Sequence, residues 1–273
     1  MALVFSVISL ISSLIVVFFY CAYHQIRRKF FSLLIFILAS LDILCWLNVI
    51  VSAPYYLYTG GNDINCFNKG FCVFLGFMWS LSELLNFGVT FLISLSLYLA
   101  LMKNTDPAQY KYHMLLSVFV ISFIFALMPF WFPADDDLVY DGNLTSIGFG
   151  PIDEFRCWIT NREARITSFY GPLWVVMILN ITIMIFFLRG LPNQKGFRLQ
   201  RHYQARFTLF PMIMLVSYIV PSIRRIIQFS TQKDDTNFSL DLFMYILMPM
   251  QGLFNTIVFG LFKEFIRVRM AKT

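Results

Sequence analysis

The sequence predicts an all-α membrane protein: a bundle of seven transmembrane helices, N-terminus outside and C-terminus cytoplasmic. Three observations carry that expectation. Apolar segments recur through the chain at about 2–23, 31–58, 71–102, 112–132, 166–190, 205–230 and 240–262. A hydrocarbon core of ~30 Å needs about 20 helical residues, and only a helix or a closed barrel satisfies its backbone there. These segments lack the alternation of barrel strands. The composition agrees, being 59% hydrophobic and 13% charged with a mean hydropathy of +0.71, where a soluble chain carries about 25% charged residues. The third observation is charge asymmetry. With the N-terminus outside, the inner segments 24–30, 103–111, 189–206 and 263–273 hold 14 of the 21 basic residues against two acids, Asp106 and Glu264. The outer segments hold 11 of the 15 acids. Positive charge stays cytoplasmic, so the net charge of +6 reads as topology and no nucleic-acid partner is expected.

One bundle uses the whole length, 1–273, as a single domain. Span one starts beside Met1, too long and without the cleavage pattern of a removable signal peptide, so it is expected to stay as an anchor. Span two carries Asp42, in its inner half because Arg28 lies at its inner start. Span three carries Trp79, Glu83 and Asn86; Glu83 lies about three turns from Cys72, which places it in the outer half. Span four has no regular array of arginines and is not a voltage sensor. The connection 133–165 is acidic (Asp135, Asp136, Asp137, Asp141, Asp153, Glu154) and carries Gly142, Gly148, Gly150 and Pro151. A connection this long without periodicity is functional or disordered. The expectation is a lid over an extracellular cavity, pinned by Cys157, with a solvated cover as the alternative. Span five contains Pro172, Trp174 and Asn180. Span six contains Pro211 and Pro221, two weak points about which it would pivot, and Arg224 and Arg225 near its outer end. Span seven contains Pro249, Gln251 and Asn255, and no lysine to anchor a retinal Schiff base. The tail 263–271 has the makings of a short amphipathic helix on membrane lipid.

The polar residues inside spans are costly in lipid and are the candidates for function. Asp42 and Asn255 are expected to meet as an interior hydrogen-bonded pair, either a helix clamp or a switch. Glu83 with Arg224 or Arg225 forms either a structural ion pair or part of a ligand site. Adjacent helical residues point ~100° apart, so only one arginine faces the cavity. The candidate ligand-binding set is Glu83, Asn86, Trp79, Trp174, Arg224, Arg225 and Gln251, with packing the expected role of the two tryptophans. Cys66, Cys72 and Cys157 fall in outer loops where disulfides persist. Cys72–Cys157 is the expected bond and Cys66–Cys157 the alternative. Cys21 and Cys45 read as plain apolar residues. Asn143 and Asn237 begin outer-loop glycosylation sequons. The three histidines, His24, His113 and His202, lie at inner helix ends, and no metalloprotease helix, paired aspartates or Ser/His pairing stands within the spans. An enzyme is therefore not expected, nor a cofactor or a metal.

Several segments resemble a known family. The seven spans and the outer Cys72–Cys157 pair look like a G-protein-coupled receptor. The inner end of span three, Leu97-Tyr98-Leu99-Ala100-Leu101-Met102-Lys103, lacks the acidic-Arg-Tyr triplet of the rhodopsin-like class, and span seven lacks Asn-Pro-x-x-Tyr. Cys157-Trp158-Ile159, Leu209–Arg225, Met250-Gln251-Gly252-Leu253-Phe254-Asn255 and Phe259-Gly260-Leu261 resemble instead the cyclic-AMP chemoattractant receptors of slime moulds and their relatives. A weaker similarity extends to the secretin-like class. Arg225 matches a basic position of that family, and Arg224 replaces a polar neutral one. The resemblance implies a plasma-membrane receptor that binds an extracellular ligand, with a small anionic one the first candidate, and activates a heterotrimeric G protein by outward movement of span six. Lys103, Lys111, Lys195, Arg198, Arg201 and Arg206 would then face the Gα subunit. Two other readings compete: a seven-helix transporter or channel, and a structural subunit of a larger membrane assembly. Transport would require a continuous polar path, whereas charge stops at Glu83 and resumes at the inner loops.

Overall fold

The computed structural model describes residues 2–27, 29–58, 69–102, 105–132, 149–153, 156–190, 208–231, 243 and 246–260. Its principal helices are α1 (Ala2–Ala22), α2 (Phe30–Tyr58), α3 (Lys69–Met102), α4 (Lys111–Leu127), α5 (Gly171–Gly190), α6 (Leu209–Thr231) and α7 (Ile246–Gly260). Among the described residues, six helices are long and apolar enough to cross a membrane. The seventh, α7, is apolar but shorter. This is an all-α membrane architecture with one small β element.

Local chemistry sets the helix starts. Asp106 Oδ1 accepts from the Ala108 amide at 3.0 Å, and Pro107 follows in the first turn, whose amides need no helical partner. The 3-10 turn Pro107–Tyr110 leads into α4, and a second, Met128–Trp131, closes it around Pro129. Asn161 caps the turn Arg162–Arg165 through a 2.8 Å bond from the Ala164 amide, so helical structure begins four residues before the expected 166. A π turn, Ile166–Tyr170, joins it to α5, with the Gly171 amide reaching back to the Ile166 carbonyl. Pro172 supplies no amide and crowds the turn before it; widening that turn accommodates the ring. Pro211 was expected to weaken span six from within. It lies in the first turn of the described α6, where a missing amide costs nothing, and Pro221 is the interior proline.

Helix α3 is the axis. It packs against α2, α4, α5, α6 and both strands, and 61% of its apolar window is buried, against 17% for the segment containing α4. The outward faces are apolar at helical spacing: Leu116, Val120 and Phe123 on α4, Val175, Ile178 and Ile185 on α5, Val216, Ile219 and Ile223 on α6. Buried among the helices are serines, asparagines and two carboxylates. A soluble bundle would reverse that distribution; lipid permits it. Near the middle of α1, Ser9 and Ser13 meet α7 at Gly252, where any added Cβ would strike the Ser9 hydroxyl and come within 2.8 Å of that of Ser13. Glycine at that point allows the two backbones to approach.

The described part of the connection before α5 contains regular structure where the sequence showed no periodicity. Strands β1 (Phe149–Asp153) and β2 (Arg156–Ile159) form an antiparallel hairpin, with Phe149 opposite Ile159 and Pro151 opposite Cys157. Phe149, Cys157, Trp158, Ile159 and Thr160 are all buried. The hairpin is buried against the bundle. A Cys72–Cys157 disulfide ties it to the start of α3. One turn further along α3, a Cβ on Gly76 would sit 2.8 Å from Phe149 Cδ1 and 3.4 Å from the Cys157 backbone. Cys72 and Gly76 thus share the face on which the hairpin rests. The acidic stretch 133–148, with Asn143, lies outside the described residues, as do Cys66, Asn237 and the tail 263–271.

Candidate functional site

A chain of buried polar side chains crosses the middle of the bundle. Asp42 on α2 is its centre. Its Oδ1 accepts from Asn86 Nδ2 on α3 at 2.6 Å, and its Oδ2 accepts from Asn255 Nδ2 on α7 at 3.2 Å. Asn86 Oδ1 in turn accepts from Gln251 Nε2, one turn before Asn255 on α7, at 3.1 Å. One turn before Asn86 on α3, the Glu83 carboxylate accepts a hydrogen bond from the Tyr218 hydroxyl of α6. All six side chains are buried. Four helices are therefore joined by hydrogen bonds in a region where a lone carboxylate costs about 2.5–3.5 kcal/mol. Asn48 on α2 adds a bond to the Leu75 carbonyl of α3 at 2.6 Å.

The sequence places Asp42 with Asn255, and the structure contains that bond. Asn86 and Gln251, two of the candidate ligand residues, lie deep in the same network, Asn86 bonded to both Asp42 and Gln251. Glu83 and Arg225 bond to different tyrosines. Glu83 sits on Tyr218, whereas Arg225 lies seven residues along α6, about 10 Å of helix rise away. Arg225 is 8% exposed; its Nε donates to the Tyr170 hydroxyl at 3.3 Å, and its guanidinium lies 5.6 Å from the Trp158 ring centroid. Arg224 is only half-buried, so the interior arginine is Arg225.

The surroundings of Arg225 come from the hairpin and the π turn. Trp158 carries a second guanidinium, that of Arg165, 5.4 Å from its centroid. Arg165 also donates from Nε and Nη2 to the carbonyls of Ile159 and Thr160 at 3.1 and 3.2 Å, which holds the end of β2 on the start of the helix. Phe169 and Tyr170, both in the π turn, pack edge-on to Trp158 at 5.1 and 6.2 Å. Trp174 lies against Tyr170 at 6.2 Å, and Trp79 is edge-on to Trp46 at 5.6 Å. Trp79 and Trp174 both pack against other aromatic rings. Phe87 connects the two regions, being edge-on to Phe169 at 5.5 Å and to Tyr218 at 4.7 Å.

Tyr218, Tyr170, Trp158 and Arg165, which touch these candidate side chains or one another, were not among the site residues expected from the sequence. The Cys157-Trp158 pair was the one available signal, since a bond at Cys157 brings its neighbour to the bundle. Of the cations expected to face a G protein, Lys103, Lys195, Arg198, Arg201 and Arg206 lie outside the described residues. Lys111 opens α4, its Nζ 4.8 Å from the Tyr112 ring centroid. Among the described residues, no group of three or more His, Cys, Asp or Glu side chains converges as a metal site. In comparisons with known proteins, no family model matches the chain and no curated protein matches it.

Proposed function

We propose that this chain is a seven-span plasma-membrane receptor of the G-protein-coupled kind, with its N-terminus and hairpin outside and its basic loops in the cytoplasm. The observation that carries the reading is the polar chain Tyr218–Glu83, Asn86–Asp42–Asn255 and Gln251, because it links the helices that such a receptor must rearrange. Helix α6 joins it through Tyr218, three residues before the interior proline Pro221. Two turns along the same helix, Arg225 is held by Tyr170 and Trp158. A small anionic ligand that draws the guanidinium from Tyr170 would alter the seat of α6 at one end. The Tyr218–Glu83 bond would break or re-form with it. The ligand shifts that balance only by its differential affinity for the two arrangements. Resemblance of the span-seven segment to the cyclic-AMP chemoattractant receptors of slime moulds supports the same reading.

Transport is the competing function, and packing argues against it. On the side of Asp42 remote from the hairpin, Leu34, Leu38, Leu92, Ile93, Leu97, Val258 and Phe259 form a continuous apolar cluster. A hydrophilic solute would have to pass through it. Agonist-stimulated nucleotide exchange on a co-expressed Gα, screened with anionic ligands, tests the proposal. Exchange that depends on Arg225 is the expected result. Silence across a broad ligand and Gα panel, with the protein confirmed at the cell surface, would transfer the chain to the structural-subunit reading.

A further inference from the structure

A second feature lies on the outer surface of α4, away from the polar chain. The segment Pro107–Trp131 is the least buried of the six long apolar helices. Its two faces differ in kind. Val118 packs so closely on α3 that a Cβ added at Gly88 would strike it, and Ser122 and Ala126 follow at four-residue intervals, both buried. The outward face is bulky and apolar, with Leu116, Phe119, Val120, Phe123 and Ile124 all exposed. Transmembrane helices that pack together meet through small or polar residues, as α4 does with α3, so the outward face lacks what a second helix needs. Ser117, also exposed, donates to the Met114 carbonyl at 2.9 Å and requires no outside acceptor. The ends of the helix supply an independent observation. Tyr112 is 74% exposed and Trp131 72%, the two most exposed of the large apolar side chains among the described residues. From Tyr112 to Leu127 the α-helix rises about 22 Å, and the 3-10 turn to Trp131 adds about 8 Å. The total of ~30 Å is the thickness of a hydrocarbon core. Exposed Asp106, Gln109 and His113 stand at the Tyr112 end, where Lys111 Nζ lies 4.8 Å from the tyrosine ring centroid.

We infer that the outward face of α4 is a lipid-contact surface, and that Tyr112 and Trp131 anchor its two ends in opposite headgroup regions of one bilayer. An aromatic ring with an apolar body and a polar edge settles at that boundary. The anchors also set a depth scale for the bundle. Phe77, early on α3, meets Phe123 and Phe130, late on α4, each at 6.0 Å, so the two helices run antiparallel. Val118 lies about 9 Å along α4 from Tyr112 and marks the level of Gly88. Asn86, two residues earlier on α3, stands about 3 Å deeper, ~12 Å from the Tyr112 boundary. Its bond to Asp42 therefore sits close to the bilayer midplane, which is about 15 Å from either boundary. The inference needs α4 to cross a membrane and does not rest on the receptor reading.

Tryptophan quenching by brominated phospholipids tests it, on the full chain in bilayers whose bromines lie either next to the headgroups or near the chain ends. The Trp131 signal is the difference between the unaltered chain and Trp131→Phe. Tyr112→Trp and Val120→Trp, each added to Trp131→Phe, report the other end and the middle of the helix. Shallow bromines should quench Trp131 and the Tyr112→Trp variant at least about twice as strongly as deep ones, and the Val120→Trp variant should show the reverse order. Ile124→Trp, at another exposed position, serves as the midpoint should Val120→Trp fail to fold. Stronger quenching by deep bromines at either end would overturn the anchors, as would the same depth at all three positions. A folded midpoint variant that no bromine quenches would overturn the lipid contact, because a partner protein or a second copy of the chain would then cover the face.

Discussion

Asn86 is the residue with most at stake. It donates to Asp42 and accepts from Gln251, so Asn86→Leu strands two buried groups, whereas Gln251→Leu strands one. Hydrogen bonds between membrane helices contribute about 0.6–1.7 kcal/mol each. Asn86→Leu should therefore lower stability by roughly twice the Gln251→Leu effect, about 1–3 kcal/mol, as measured by thermal unfolding in detergent. Equal effects would mean that the Asn86–Asp42 bond contributes nothing. Arg225→Ala belongs to the same scale. In the receptor reading it should weaken an anionic agonist at least tenfold, about 1.4 kcal/mol, with surface expression little changed; unchanged potency would leave Arg225 as a brace for Tyr170 and Trp158. Asp42, Glu83 and Asn255 could be picked out beforehand because an intramembrane polar residue is conspicuous in an apolar chain. Tyr218 could not. It is one of 13 tyrosines, and which of them faces Glu83 depends on the rotation of α6, which no spacing in the chain specifies.

Among elements, the hairpin was least legible. Strands of five and four residues, one containing Gly150 and Pro151, carry too little alternation to stand out from a loop. Only the cysteine hinted that this segment is tethered. Its docking depends on Gly76, which gives a prediction separate from the bond itself. Gly76→Val would press side-chain atoms into Phe149 and the Cys157 backbone, so the disulfide should form incompletely. The readout is thiol labelling of Cys72 and Cys157 on mature protein, compared with Cys72→Ser. Full oxidation in Gly76→Val would show that the hairpin can dock higher on α3 than the close contact requires. The long helices were legible from apolar length alone. The early start of the fifth depended on the Asn161 cap and on the π turn, and the latter follows from the adjacency of Gly171 and Pro172.

For the whole molecule, the distribution of side chains decides where stability comes from. Lipid tails are as apolar as leucine, so burying more leucine between helices gains little there. Close packing and polar bonds must hold the bundle instead, which is why α3, with the most polar partners, is also its axis. The number of crossings decides whether the basic loops and the hairpin lie on opposite faces. Helix α7 as described rises about 22 Å, short of the ~30 Å core. Yet Gln251 and Asn255 tie it to α2 and α3 at the same depth as Asp42, and Gly252 seats it on α1. If α2 and α3 cross the membrane, those bonds would hold most of α7 within it. Leu240, Leu242, Leu261 and Phe262 flank it in the sequence with the apolar character needed to complete a crossing. Seven crossings would place the chain ends on opposite sides. In intact cells an epitope tag before Met1 should be stained without permeabilisation, and one after Thr273 only after it. Both tags in one compartment would make the crossings even in number, withdraw α7 as a span, and remove the face on which a G protein was to dock.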